Sequence, residues 1–237
     1  MKNLSVALFT LLSLTSISVK AQTADEVIDK HIEAMGGKDK LATLKSVRME
    51  TNLSVQGMDI PVVITRVHNV GQRVDISAMG MDGYIINTTT NGWSYMPFMG
   101  QSAAEAMPED QVKESIDGLD IQGSFLNYKD KGHTVTLVGK EDVDGTECFK
   151  LKLVTKSGKE RTYFVDPKNY YILRAISKAT VNGQEMEVTQ NFGDYKKTED
   201  GYVFANTIGG AFGQGDMTVT KIEVNKTIDE KVFKPAN

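Results

Sequence analysis

From about residue 46 to residue 225, apolar side chains recur at every second position, and this period dominates the chain. The runs are separated by turn-forming residues, as in the dipeptides Asp144-Gly145 and Asn182-Gly183. Because Asp, Asn and Gly tolerate the positive φ that two-residue hairpin turns require, consecutive runs are predicted to pair antiparallel. The pattern predicts a meander of about eleven β-strands.

Helical signals are confined to two places outside these strands. In TADEVIDKHIEAMGG, Thr23 and Glu26 have the spacing of a capping box, and the apolar side chains that follow recur at a helical period. Residues 101–119 lose the two-residue period and are predicted to form one or two short helices. A twisted sheet of about eleven strands curls or closes. We therefore expect a mainly β (α+β) protein, in which a curled antiparallel sheet forms an open half-barrel with an N-terminal helix and short lid helices.

Residues 1–21, MKNLSVALFTLLSLTSISVKA, differ in character from the rest of the chain. A basic start, an apolar stretch diluted by Ser and Thr, and a final run of small residues are the layout of a cleaved secretory signal peptide. A membrane anchor would need about 20 continuous apolar residues. We expect a signal peptide over 1–21 and a single domain over 22–237. Because Gln22, and not a cysteine, comes after the cleavage point, the product is predicted to be periplasmic and not lipid-anchored.

Charge and cysteine content exclude several classes of protein. Removal of residues 1–21 takes away Lys2 and Lys20 and no acid, so the formal net charge moves from −4 to −6. The basic residues are dispersed and form no run, which argues against a nucleic-acid partner. The one cysteine, Cys148, lies in the strand pattern ECFKLKLV, which favours a small buried side chain over a nucleophile.

Residues with catalytic or metal-binding potential are scattered. His31, His68 and His133 lie in separate elements without ligand spacing, and His31 falls on the apolar stripe of the first helix, where a packed, hydrogen-bonded residue is expected. The acidic residues around Asp142 and Asp144 could suggest calcium, but they lack the full ligand spacing, which favours a plain hairpin turn. We expect no catalytic site, no metal and no cofactor, although a carboxylate pair that meets only in space would escape this reasoning.

The strand pattern does not explain why methionine and aromatic residues are concentrated between residues 79 and 107. Methionine adapts its shape to variable apolar partners, so such a cluster suits a ligand surface as well as a core. A ligand-lining surface and a gap-filling core are equal alternatives for these side chains: Met79, Met81, Tyr84, Trp93, Tyr95, Met96, Phe98, Met99 and Met107. In NGWSYMPFMG, Trp93 and Tyr95 share one face of the strand and Met96 and Phe98 the other, and the alternation alone leaves open which face meets a ligand.

Four segments, in order, resemble the LolA-like proteins, the periplasmic carriers of outer-membrane lipoproteins. DGYIINTTTNGWSYMPF resembles the strand–turn–strand of the family, and YFVDPKNYYILRA is similar to its Asp-Pro hairpin. DYKKTEDGYVFANTI resembles the next strand of the family, and IEVNKTIDEKVFKPAN resembles the C-terminal ending. The resemblance implies an open β half-barrel with helices over its mouth, whose apolar cavity shelters lipoprotein acyl chains. It thereby predicts that the methionine and aromatic side chains between residues 79 and 107 line an acyl cavity. The implied partners of such a monomeric carrier are an inner-membrane ABC exporter and an outer-membrane receptor.

The resemblance also implies a lid-regulating arginine. The family has an arginine near the end of an early strand, and Arg66 in VVITRVHNV occupies the matching place, although Val67 comes after it where the family has Pro. Arg73 is the second candidate for this role, and a solvated strand charge is the plain alternative for either. A lipid-sensing interaction module of the cell envelope, built on the same fold, is the alternative to a carrier.

Overall fold

The computed structural model describes residues 22–181, 184–212 and 215–235, which form one antiparallel sheet of thirteen strands with few helices. The predicted fold class is confirmed, and the sheet is not closed. The expected signal peptide and the Asn182-Gly183 turn lie outside the described residues. The strands are β1 (Ser46–Val55), β2 (Met58–Val67), β3 (Gly71–Ala78), β4 (Met81–Thr88), β5 (Gly92–Tyr95), β6 (Glu105–Ala106), β7 (Thr134–Val143), β8 (Thr146–Val154), β9 (Glu160–Val165), β10 (Ile172–Val181), β11 (Gln184–Lys197), β12 (Val203–Ala211) and β13 (Gly215–Val224).

The strand order shows two meanders joined side by side. It runs β6-β5-β4-β3-β2-β1-β13-β12-β11-β10-β9-β8-β7, so β6 and β7 are the edges of the described sheet. The pairing of β1 with β13, from Val47 opposite Val224 to Ser54 opposite Asp216, joins the two meanders. The predicted strands correspond to β1–β4 and β7–β13, and the apolar stretch 91–100, also treated as a strand, contains β5. The two-residue β6 is an addition.

Two faces of the sheet can be distinguished by register. Val47, Met49 and Leu53 of β1 lie on what we call the inner face, as do their partners on β2 and β13. One buried cluster on this face includes Leu53 and Met217, and all of its described residues lie in strands. The curl of the sheet itself therefore buries these side chains. The opposite, outer face carries separate clusters around Ile86 and Phe164.

Helices α1 (Ala24–Ala34) and α2 (Lys38–Ala42) cover the inner face of the second meander. The capping box is confirmed: the Thr23 hydroxyl accepts from the backbone N–H of Glu26 at 3.2 Å, and the Glu26 carboxylate accepts from that of Thr23 at 2.8 Å. Val27 and Ile28 are buried against strands β8 and β9 in the main core cluster. The predicted apolar stripe therefore does face the core.

A covering segment, residues 101–132, connects the two meanders across the inner face. It contains α3 (Glu109–Ser115) and a 3₁₀ turn (Ile116–Leu119), as predicted for this region, and then turns without regular structure. Leu119, Phe125 and Leu126 are buried, and Phe125 packs in the main core cluster with α1. The Gln122 side-chain amide donates to the carbonyl of Ala42 at 3.0 Å, which ties the segment to α2.

The acidic residues near Asp144 form the expected hairpin. Asp144 and Gly145 have φ of 51° and 85°, the left-handed values that a two-residue turn needs. The Asp142 carboxylate accepts from the backbone N–H of Gly145 at 3.0 Å, and Asp144 pairs with Arg174 on β10. These contacts give the cluster a structural role in the turn.

The two ends of the sheet differ in their exposed side chains. We call the upper end the one where β1 leads to β2, β3 to β4, β8 to β9, β10 to β11 and β12 to β13, and where the chain leaves β5. The β8–β9 turn is polar in sequence. The other five places each have an exposed large apolar side chain at or near them: Met58; Met79 and Met81; Met186; Phe212; and Met99. The turns at the lower end, such as residues 89–91 and 198–201, are polar in sequence.

Candidate functional site: a cavity beneath the helices

A cavity of about 370 Å³ lies on the inner face, between strands β9–β12 and the cover formed by α1, α2 and residues 121–126. Its volume falls within the range of roughly 300–1,000 Å³ that is typical of small-molecule pockets. Its lining is mostly apolar. The apolar and aromatic side chains that line it are Ile32, Met35, Leu41, Leu44, Ile121, Phe125, Leu126, Tyr163, Ile172, Ala175, Phe192, Tyr202, Val203 and Phe204.

Strand alternation places the aromatic side chains of the wall. Tyr163 on β9 lies opposite Ala175 on β10, which lies opposite Gln190 on β11, so all three share the inner face. Phe192 continues that face two residues along β11. The ring of Phe125, from the covering segment, lies 4.8 Å from the ring of Tyr163. The cavity is therefore closed on one side by the sheet and on the other by the helices and the covering segment.

His31 lines the cavity as a neutral packed side chain. Its Nδ1 lies 2.8 Å from the carbonyl oxygen of Tyr170, and its ring meets Phe125 edge-on at 5.5 Å. Burial lowers the pKa of His31 below its ordinary value of 6.5, against the opposing effect of the bond to Tyr170. The prediction of a hydrogen-bonded core histidine is confirmed.

Three polar side chains of the cavity lie together toward the upper end. Arg161, the second residue of β9, lies opposite Ser177 of β10, and Gln190 is the next inner-face residue beside them on β11. Helices α1 and α2 lie at the other end, near the turn that carries Tyr170 and near Tyr202. The other polar side chains of the lining, His31 of α1 and Gln122 and Ser124 of the cover, lie among mostly apolar neighbours.

The side chains predicted to line an acyl cavity are distributed over three places, all of them outside the lining of this cavity. Met79, Met81 and Met99 are exposed at the upper end. Tyr84, Trp93 and Tyr95 lie together on the outer face, where they pack around Ile86 and Phe233. Their contact with an acyl chain stays a prediction.

The remaining three predicted residues lie on the inner face of the first meander. The Met96 sulfur and the Phe98 ring lie 3.3 and 2.8 Å from the position that a Cβ on Gly83 would occupy, and Gly83 pairs with inner-face Ile76. Met107 similarly fills the space beside Gly92. Glycine at position 83 is required by this close approach. The side chains of residues 91–100 thus have different surroundings on the two faces. Those on the outer face pack around Ile86 and Phe233, and those on the inner face lie against the inner side of the first meander.

Arg66 also lies on the inner face, in register with Val47 and Gln72. Its Nε is buried without a hydrogen-bond partner among the described residues, and burial lowers its pKa from the ordinary value of 12.5. Arg73 lies on the outer face, where its Nε donates to Asp75 at 2.7 Å and its Nη1 to the carbonyl of Val232 at 3.1 Å. A lid-regulating role for Arg66 stays a prediction.

Sequence reasoning missed the strand residues of the cavity wall. Tyr163, Phe192 and Phe204 each belong to an alternating pattern that is typical of ordinary sheet. The pattern predicts that one face of the sheet is buried, but it does not show that a cavity separates this face from the helices. The signal that could have found them is the apolar stripe of α1 and α2, since Met35 and Leu41, which the helical period directs at a core, face the cavity.

Two further observations concern the described residues. Within 22–181, 184–212 and 215–235, no group of three or more His, Cys, Asp or Glu side chains is placed to hold a metal ion. The helices of this part of the chain are all too short or too polar to cross a membrane.

Comparisons with known proteins identify the fold. No family model matches the chain, and no curated protein matches it. A solved LolA superfamily protein from Nitrosomonas europaea is 15% identical with a TM-score of 0.54, and the match covers 90% of this chain and 98% of that one. A domain from Vibrio parahaemolyticus, described as outer membrane lipoprotein-sorting, is 16% identical with a TM-score of 0.51, over 88% and 94% of the two chains.

A third structure, a DUF1329 family protein from Desulfovibrio piger, is 13% identical with a TM-score of 0.54, and the match covers 89% of this chain and 96% of that one. All three matches span almost the whole of the described chain and of the matched proteins. At these identities the comparison concerns the fold alone: this chain folds similarly to these three proteins.

Proposed function

We propose that this protein is a periplasmic carrier that binds the acyl chains of lipoproteins, or of related lipids, and delivers them to the outer membrane. The apolar cavity between the curled sheet and its helical cover is the observation that supports this function best. The lipoprotein-sorting description of the Vibrio parahaemolyticus domain agrees with it. An inner-membrane ABC exporter as donor and an outer-membrane receptor as acceptor belong to the same proposal.

Burial supplies the binding energy for the acyl chain in such a carrier. Transfer of an acyl chain from water into an apolar site is favourable by about 0.8 kcal/mol per CH₂. A wall of aliphatic and aromatic side chains needs no directed chemistry to hold it, and the ligand is released when the cover moves or a competing apolar site is offered. The inner-face residues Met96, Phe98 and Met107 could extend the apolar path beyond the cavity into the first meander.

The proposal is tested by ligand binding to the purified, delipidated protein. We expect it to bind a fluorescent fatty acid, and native mass spectrometry of protein taken from the periplasm to detect bound lipid. Ala175→Phe fills the cavity and should weaken binding at least tenfold. Thr189→Phe adds the same side chain to the outer face of the neighbouring strand and should leave binding unchanged. A protein that carries no lipid and binds none would contradict the carrier function.

A lipid-sensing interaction module is the second candidate, and the exposed apolar side chains at the upper end favour it, since a partner could cover them. The two candidates differ in the fate of the bound ligand. A carrier transfers its ligand to acceptor vesicles at a rate that depends on the acceptor. A sensor keeps its ligand and changes its affinity for a partner, so a transfer assay between protein and vesicles separates them.

A further inference from the structure

Among the residues that the structure describes, Arg161 is the one charged side chain that lines the cavity. The other titratable groups of this described lining are the neutral His31 and the tyrosines Tyr163 and Tyr202, without a carboxylate among them. Within 22–181, 184–212 and 215–235, the side chain of Arg161 forms no ion pair or hydrogen bond. The cavity therefore contains an arginine whose charge this part of the chain does not neutralise.

The acid next to Arg161 in sequence and the acid of the 3₁₀ turn beside the β8–β9 turn have other partners. Glu160 alternates to the outer face, where it pairs with Lys152 at 2.7 Å. Asp117, on the covering segment, accepts from the Ser157 hydroxyl at 2.7 Å and lies 3.9 Å from Lys159. On the inner face, the neighbours of Arg161 in register are Leu153 on one side and Ser177 on the other. None of these groups supplies the missing negative charge.

A guanidinium without a hydrogen-bond partner in a mostly apolar cavity is unfavourable. It offers five N–H donors in a planar fork that matches a carboxylate or a phosphate. Ser177 and Gln190 add a hydroxyl and an amide donor on the same face. The upper end of the cavity thus has the donor set of an oxyanion site, and the lining toward α1 and α2 is mostly apolar.

We propose that Arg161, with Ser177 and Gln190, binds the carboxylate or phosphate head of an acyl-chain ligand whose tail lies between Phe192 and Phe204 and extends toward Met35. The inference rests on the proposed lipid-carrying function and narrows its ligand class to anionic amphiphiles. The ligand lies with its head at the upper end, beside the β8–β9 turn, and its tail toward α1 and α2. The volume of about 370 Å³ fits one chain better than several.

The test compares three ligands with the same tail: dodecanoate, dodecyl phosphate and dodecanol. We expect the wild-type protein to bind the two anions about 10- to 100-fold more tightly than the alcohol, since hydrogen bonds to charged groups contribute that much. Arg161→Met should remove this preference and leave the affinity for dodecanol unchanged. Arg161→Lys should keep part of it, because the charge remains while the planar fork is lost.

Arg174→Met is the matched control, since Arg174 lies on the outer face of β10 and pairs with Asp144; its preference for anions should equal that of the wild type. Thermal unfolding of each variant verifies folding. If Arg161→Met prefers the two anions over dodecanol as strongly as the wild type does, or if neither protein prefers them, the head-group site is refuted while the carrier function stands. If free phosphate binds as tightly as dodecyl phosphate, Arg161 is a plain anion site and the inference also fails. If no dodecyl ligand binds the wild type, the carrier function itself fails.

Discussion

At the scale of single residues, the surroundings decide the chemistry of each side chain. Cys148 is fully buried on the outer face among Val143, Phe164 and Ile176. Burial raises the pKa of its thiol from 9.0 to about 11. A thiol that stays protonated in an apolar cluster is a packing group and not a nucleophile, which confirms the sequence-based expectation of a small buried side chain.

Cys148 should therefore react slowly with a thiol reagent in the native protein and rapidly after denaturation, with one thiol per chain. Between pH 9 and 11 the unfolded thiol ionises before the folded one, so stability should fall as pH rises through this window. At pH 10 the loss should be about 1.4 kcal/mol relative to pH 8. Urea unfolding at both values checks this, with Cys148→Ala as the control that lacks this contribution. Equal pH dependence of the two proteins would contradict the raised pKa.

At the scale of elements, the covering segment is fastened to the β8–β9 turn. The Lys159 ammonium donates to the backbone carbonyl of Glu114 at 2.6 Å, at the C-terminal end of α3, where a cation also complements the helix dipole. The bond between Ser157 and Asp117 lies beside it. Since α3 also contacts β4 of the first meander, the segment bridges the open side of the sheet at this end.

Lys159→Met should loosen this connection with little change in overall stability, because exposed charge interactions contribute about 0–1 kcal/mol. We expect faster hydrogen exchange in residues 109–119 and faster ligand dissociation. Lys152→Met is the control, since Lys152 also forms a short contact, an ion pair of 2.7 Å with Glu160, but on the outer face of the same hairpin and away from α3. Unchanged exchange in α3, or an equal effect of the control, would show that Lys159 does not hold the segment.

At the scale of the whole molecule, the alternation of apolar and polar residues predicted nearly all of the strands, because each strand shows this alternation within its own residues. It did not predict the two-residue β6, which is too short to have a period. The pairing of β1 with β13 joins segments about 170 residues apart, and no local signal marks it. The inner and outer faces of residues 91–100 depend on where Phe233 and its neighbours pack, which alternation cannot show. The cavity is a gap between elements, so it appears only when the helices are placed on the sheet.

The exposed side chains of the upper end lead to a chemical prediction for the whole molecule. Methionine is oxidised to its sulfoxide in order of exposure. Dilute peroxide should therefore modify Met79 and Met99, which are 79% and 78% exposed, well before Met217, which is 5% exposed in the core. Peptide mass spectrometry over time measures the order, and circular dichroism should show an intact fold while the first two react. Oxidation of Met217 at the same rate would contradict the arrangement.

The same feature connects the upper end of the molecule to the redox state of its surroundings. A sulfoxide is polar, so oxidation of Met58, Met79 and Met99 would make the apolar surface of the upper end hydrophilic. The lining of the cavity beneath the helices would stay unchanged. Enzymes that reduce methionine sulfoxide would reverse the change. An oxidant could thus alter what this end of the protein adheres to without altering what its interior can bind.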